Sequence, residues 1–185
     1  MGALLFIDKN TKPIIGVYSS AFQTSSNVSV QSTDNSIDGE QHSFNPSTLG
    51  IGVYLGFKNN YHRLTLSYDT TSDEKISQDR LMFNLDFYDT KVYGLQPLFG
   101  IGIGSATNEY KIHNKNIKQS NGVANIKAGL SWNMKDNTSL DLILEYAKLL
   151  TNNVGKSISE NSEFTTYNIN KRTDSILRLG YCREF

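Results

Sequence analysis

The chain has 185 residues, enough for one domain, and its 18 basic and 18 acidic side chains balance. With no basic run longer than Lys171-Arg172, that balance excludes the charge footprint of a nucleic-acid binder, and the lone Cys182 excludes an internal disulfide or a cysteine-based metal centre. Only 38% of residues are apolar, and the leading run Ala3-Leu4-Leu5-Phe6-Ile7 falls far short of the roughly 18 residues a membrane-spanning helix needs.

Residues 1–185 read as a single domain, with 1–11 as a periplasmic lead-in or the remnant of a recombinant start. That start lacks the basic region and small-residue cleavage site of an intact secretory signal. Either the protein is not exported, or its signal has been removed. Beyond it, helical periodicity is almost absent. Stretches of about ten residues alternate apolar and polar side chains, separated by Asn-, Asp-, Ser- and Lys-rich segments.

In chain order, the first predicted strand, 13–24, carries Ile15 and Val17 but is diluted by Ser19 and Ala21. The second, 47–57, shows Leu49, Ile51, Val53, Leu55 and Phe57 on one face. In the third, 61–69, Leu64, Leu66 and Tyr68 oppose Arg63, Thr65, Ser67 and Asp69. The fourth, 80–87, sets Leu81, Phe83, Leu85 and Phe87 against Arg80, Asn84 and Asp86. Phe99, Ile101 and Ile103 mark the fifth, 94–106; Ala124, Ile126, Ala128, Leu130 and Trp132 mark the sixth, 122–134. Leu140, Leu142, Leu144 and Tyr146 mark the seventh, 138–149; Leu177, Leu179, Tyr181 and Phe185 the last, 174–185.

Connections alternate in length. Lys58-Asn59-Asn60, Asp89-Thr90-Lys91 and Lys135-Asp136-Asn137 are short and contain Asn or Asp, which tolerate tight turns. Segments 25–46, 70–77, 107–121 and 150–173 are longer and polar and read as loops. An all-β, eight-stranded antiparallel up-and-down barrel follows, with short turns at one end and long loops at the other, the sorting seen in transmembrane barrels.

The polar face decides which side is inward. It carries Arg63, Asp69, Arg80, Asp86, Lys127, Asp141, Glu145, Arg178 and Glu184, interleaved with Gly50, Gly52, Gly56, Gly100, Gly102, Gly104 and Gly129. Glycine weakens a strand, but an eight-stranded barrel leaves room inside only for side chains. Small residues beside long charged ones therefore predict a polar, charge-paired lumen and a lipid-facing apolar exterior. Phe57, Tyr61, Phe87, Tyr88, Tyr93 and Trp132 cluster near the short turns, as an aromatic girdle would.

These residues resemble the small outer-membrane barrels of the OmpA/OmpX and opacity-protein type over essentially the whole chain. The matching stretches are Leu98-Phe99-Gly100-Ile101-Gly102-Ile103-Gly104, Ala128-Gly129-Leu130-Ser131-Trp132, Asp136-Asn137-Thr138-Ser139-Leu140-Asp141-Leu142, and the terminal strand from Leu177 to Phe185. Tyr181 and Phe185 look like the family's assembly signal, with Arg183 departing from its usual apolar residue. The resemblance implies a Gram-negative outer-membrane location and contact with outer-membrane lipid, lipopolysaccharide and the assembly machinery. It also implies a structural, adhesive or narrow-pore role, with a host or surface ligand at the loops.

The chain is expected to be a monomer without cofactor, metal or catalytic residues. Two rival readings are a soluble lipocalin-like carrier, with the apolar face inward, and a barrel enzyme modifying lipid A. For the latter, His42 and His113 fall in loops and His62 starts a strand beside a short turn. The leading reading predicts heat-modifiable gel migration after refolding in detergent; a monodisperse fold without detergent would instead place the apolar face inside.

Overall fold

The computed structural model describes residues 10–33, 37–112, 115–134, 137–150, 154–160 and 163–185. Their regular elements are β1 (Lys12–Ser32), β2 (Gln41–Phe44), β3 (Ser47–Lys58), β4 (His62–Ser72), β5 (Ile76–Tyr88), β6 (Leu95–Ile112), β7 (Lys115–Asn133), β8 (Thr138–Leu149), β9 (Val154–Glu160) and β10 (Glu163–Glu184). Strands β1, β3, β4, β5, β6, β7, β8 and β10 pair antiparallel in that order, and β1 pairs with β10 to close the ring. This is the eight-stranded up-and-down barrel the alternation requires.

Period two separates the faces. On β3, Leu49, Ile51, Val53, Leu55 and Phe57 are exposed outward, while Thr48, Gly50, Gly52, Tyr54 and Lys58 are buried inward. From Leu49 to Phe57 is about 26 Å of strand. At a tilt of about 40° this gives roughly 20 Å of height, close to the apolar band of a membrane barrel. The lipocalin-like reading fails here: the large apolar side chains of this band point outward around the ring.

Glycines admit the long inward side chains. Gly16 lies opposite Tyr54, and Gly52 opposite Tyr18. A Cβ on Gly52 would fall 2.3 Å from Tyr18 Cζ, and one on Gly16 2.2 Å from Tyr54 Cζ. The two rings stack with centroids 6.1 Å apart, filling the space the glycines leave.

Three segments read as loops are instead largely strand. Strand β1 runs on to Ser32, β6 and β7 extend through most of 107–121, β10 begins at Glu163, and β2 and β9 lie within 25–46 and 150–173. The 70–77 loop shrinks to the turn 73–75. The physical reason is an inversion of the hydrophobic face. Past the apolar band, Gln23, Ser25 and Asn27 of β1 and Asn116, Lys118 and Ser120 of β7 point outward. Inside, Val28, Val30, Phe44, Tyr110, Ile112, Ile117, Val123, Tyr167 and Ile169 form an apolar core. Strands with a polar outer face and modest apolar content looked like loops.

A bulge hides the pattern further. Asn27 faces Lys171, yet Val28 faces Ile169, so the register skips residue 170. Below the skip, even-numbered Arg172, Asp174 and Ile176 are buried; above it, odd-numbered Thr165, Tyr167 and Ile169 are.

The β5–β6 reversal is not at Asp89-Thr90-Lys91. It lies at Tyr93-Gly94, with φ of 52° and 81°, between Val92 and Leu95, which exchange backbone hydrogen bonds at 2.9 and 3.0 Å. Positive φ at both central residues matches strand twist in a two-residue hairpin, and Gly94 makes that geometry cheap. Asn137 is also left-handed, at φ 57°; Lys135 and Asp136 of that turn, like residues 1–9 of the lead-in, lie outside the described residues.

Gly52→Val should cost about 1–3 kcal/mol, because Tyr18 is pinned by Asp69 at 2.8 Å and cannot yield. Ser19→Leu, on the outer face one position along from Tyr18, should be neutral or stabilising. Urea midpoints in detergent would separate the two; equal losses would contradict the assignment of faces.

Candidate functional site

Backbone alternation carries polar residues inward, and a charge buried there must be matched by its opposite. The lumen meets this demand in layers. Nearest the short turns, Lys58 and Lys12 share Glu184, at 3.1 and 3.3 Å. Above them sits Arg63, with Nε 2.8 Å from Asp86 and Nη1 donating to Asp141. Lys127 Nζ reaches the other Asp86 oxygen at 2.7 Å. Asp86 and Lys127 lie on β5 and β7, and β6 places Gly100 between them. A Cβ on Gly100 would meet Asp86 Oδ1 at 2.1 Å, so glycine there opens the path for the pair.

The next layer is a second neutral set of four. Arg80 is fully buried and holds Asp69 with two parallel bonds, of 2.8 and 2.9 Å, and Glu145 with one of 3.0 Å. Arg178 Nη2 bridges the same carboxylates, at 3.0 Å to Asp69 and 2.9 Å to Glu145. Tyr18 donates to Asp69 and lies under the Arg178 guanidinium, 4.6 Å from ring centroid to Cζ. Arg80 in turn covers the Phe22 ring at 4.9 Å, where the ionic layers begin to give way to apolar ones.

A third layer completes the transition. Asp174 accepts from Thr24 at 2.8 Å, Gln78 at 3.2 Å and Arg172 at 3.2 Å, and Arg172 also donates to the Tyr110 hydroxyl at 3.1 Å. The apolar core lies beyond. Between the two sets of four, the free space is about 20 Å³, room for about one water.

Of the nine charges grouped from sequence, the structure brings Arg63, Asp69, Arg80, Asp86, Lys127, Asp141, Glu145 and Arg178 into these two sets. Glu184 does not join them; it stands at the mouth with Lys12 and Lys58. Those two lysines, and Arg172 with Asp174, escaped sequence reading. Lys58 continues the inward parity of β3 but falls in what read as a turn, and Arg172 lies in what read as a loop.

Among the aromatics, Phe57, Phe87 and Trp132 face outward, and Tyr61 and Tyr93 lie in the connections at the short-turn end. Tyr88 is a correction: it is 7% exposed and points into the lumen, its ring 5.1 Å from Lys58 Nζ and 5.6 Å from Arg63 Cζ. Its neighbour Phe87 faces out, so parity forces Tyr88 in. Tyr181 and Phe185 face outward.

His62 packs edge-on against Phe87 at 5.4 Å, at the short-turn end. His42 lies in β2, its Nε2 3.1 Å from Glu40. His113 falls outside the described residues.

A closed antiparallel ring with an apolar belt and an ion-paired interior defines a small eight-stranded transmembrane β-barrel, the fold of the outer-membrane barrels. Solved structures with this fold agree. Over 92% of this chain and 97% of its own, Neisserial surface protein A is similar at 13% identity and a TM-score of 0.60. The outer-membrane protein OprG of Pseudomonas aeruginosa is similar at 10% identity and 0.56, over 95% and 96%. The N-terminal barrel of OprF from the same organism is similar at 16% identity and 0.51, over 90% and 96%. No family profile matches the sequence, and no curated protein matches it.

Arg80→Met should destabilise the barrel by about 3–5 kcal/mol, since Asp69 and Glu145 would then have Arg178 as the one cation left in their set. Adding Glu145→Gln restores neutrality and should recover part of the loss in urea unfolding. Simple additivity of the two losses would mean that charge balance is not what holds this layer.

Proposed function

We propose that this chain is a non-enzymatic, non-conducting barrel of a Gram-negative outer membrane, and that its work is structural or adhesive, done by the sheet that rises beyond the membrane. The short turns then face the periplasm and the extended strands the outside. The observation that carries this reading is the filling of the lumen: two neutral sets of four charges, a third polar layer and an apolar core stand in series. A solute would have to part buried ion pairs and then cross a packed apolar layer, each step costing several kcal/mol. This argues against the narrow-pore alternative.

The extended strands support the surface role. They carry polar outer faces over a core of their own, which gives a firm platform rather than a set of free loops. Recognition commonly sits on segments that a rigid scaffold positions in this way. Of the histidines weighed for a lipid A-modifying activity, His42 on the short strand β2 meets Glu40 just before it, His62 stands at the short-turn end, and His113 lies outside the described residues.

Purified protein in planar bilayers is expected to give no stepwise conductance, and lipid A from expressing cells an unchanged mass profile. Cells displaying the protein should attach better to host-cell monolayers than the parent strain. Regular conductance steps would replace the closed barrel by a pore, and an altered acyl chain would replace it by an enzyme.

A further inference from the structure

The lumen keeps charge neutral layer by layer, and its short-turn mouth does not. There a pocket of about 390 Å³ is lined by Lys12, Lys58, Lys91 and, among the described residues, by Glu184 as its one carboxylate. Among the described residues, three ammonium groups facing one carboxylate leave two positive charges. Asp89, in the adjoining turn, accepts from the Thr90 backbone at 2.7 Å and does not line the pocket.

Lys58 makes the imbalance a site rather than a solvated surface. Its side chain is 5% exposed, and its ammonium is met by Glu184 at 3.1 Å and by the Tyr88 ring at 5.1 Å, so with three N–H groups it still has donors for a further acceptor. A buried ammonium that shares its one carboxylate with Lys12 gains from a further anion. The surrounding frame is fixed: Gln96 donates to the carbonyls of Asn60 and Asp89 at 3.2 and 3.1 Å, and Asn133 donates to Gln96 at 3.4 Å. These bonds tie two neighbouring turns and the end of β7 around the pocket.

We propose that this mouth binds a phosphate group. Lysines act as point charges with rotatable donors and suit a tetrahedral oxyanion, whereas paired recognition of a planar carboxylate favours arginine, which the pocket lacks. The two residual charges match a phosphate monoester or inorganic phosphate, which carries nearly two negative charges at neutral pH; one carboxylate would cancel half. Two sources share this chemistry, a soluble phosphate compound and the phosphomonoester headgroup of a membrane lipid such as phosphatidic acid.

Calorimetric titration of sodium phosphate into the full chain, in nanodiscs of phosphatidylcholine, tests this. Saturable binding is expected, weakened about tenfold or more in Lys58→Met, as loss of a charged partner implies. Lys91→Met removes an exposed turn residue and tests the site without disturbing the lumen; it should weaken binding in the same direction. Lys148→Met, on the outer face of β8, should change nothing. If phosphatidic acid in the nanodisc displaces phosphate, the headgroup is the source; if it does not, a soluble phosphate is. Absence of saturable heat, or equal binding by wild type and both mouth variants, would overturn the proposal.

Discussion

The seam between β1 and β10 is the constraint on which the rest of this structure depends. A bilayer core offers no water to an unpaired N–H or C=O, so a sheet that crosses it must have no edge. Residues from Ile14 to Ser32 pair with residues from Glu184 to Thr165, joining the two ends of the described chain over almost all of β1. Once the ring is closed, each strand has only two environments, lipid outside and a narrow lumen inside. Alternation along the strand then sorts side chains between them.

The narrow lumen imposes the second condition. Arginines and carboxylates placed inside cannot keep their water, and an unmatched one would cost more than the fold can tolerate. The observed solution is local neutrality: Arg63 and Lys127 with Asp86 and Asp141, then Arg80 and Arg178 with Asp69 and Glu145. Glycine is the structural means. Gly100 lets a lysine and an aspartate meet across an intervening strand, and Gly16 and Gly52 let two tyrosines lie over the neighbouring backbone. The mouth, where among the described residues three lysines face Glu184, is open to solvent on one side and so escapes the rule.

Beyond the belt the solvent changes and the faces exchange roles. Water outside favours Lys118 and Ser120 there, and Val28, Tyr110 and Ile117 turn inward to make a core like that of a soluble sheet. One chain thus builds two folding regimes on continuous strands. The bulge near residue 170 keeps β10 in step with β1 while turning Tyr167 and Ile169 inward.

The sequence by itself determined the eight crossing strands, the polar face of each and the charges of the two central layers, because alternation is a local property written into consecutive residues. Leu81, Phe83, Leu85 and Phe87 could only share one face, and Arg80, Asn84 and Asp86 the other. Only the tertiary structure decided that Arg80 answers to Asp69, Glu145 and the apolar core above it. Partners on β4, β5, β8 and β10 meet through the register of a closed ring, to which no single strand holds the key. It likewise decided that Tyr88 faces the lumen rather than the girdle, and that 107–121 and 150–173 contain strands. In those segments lipid no longer marks the outer face, and the residue types that announce a membrane strand are absent even though the strand continues.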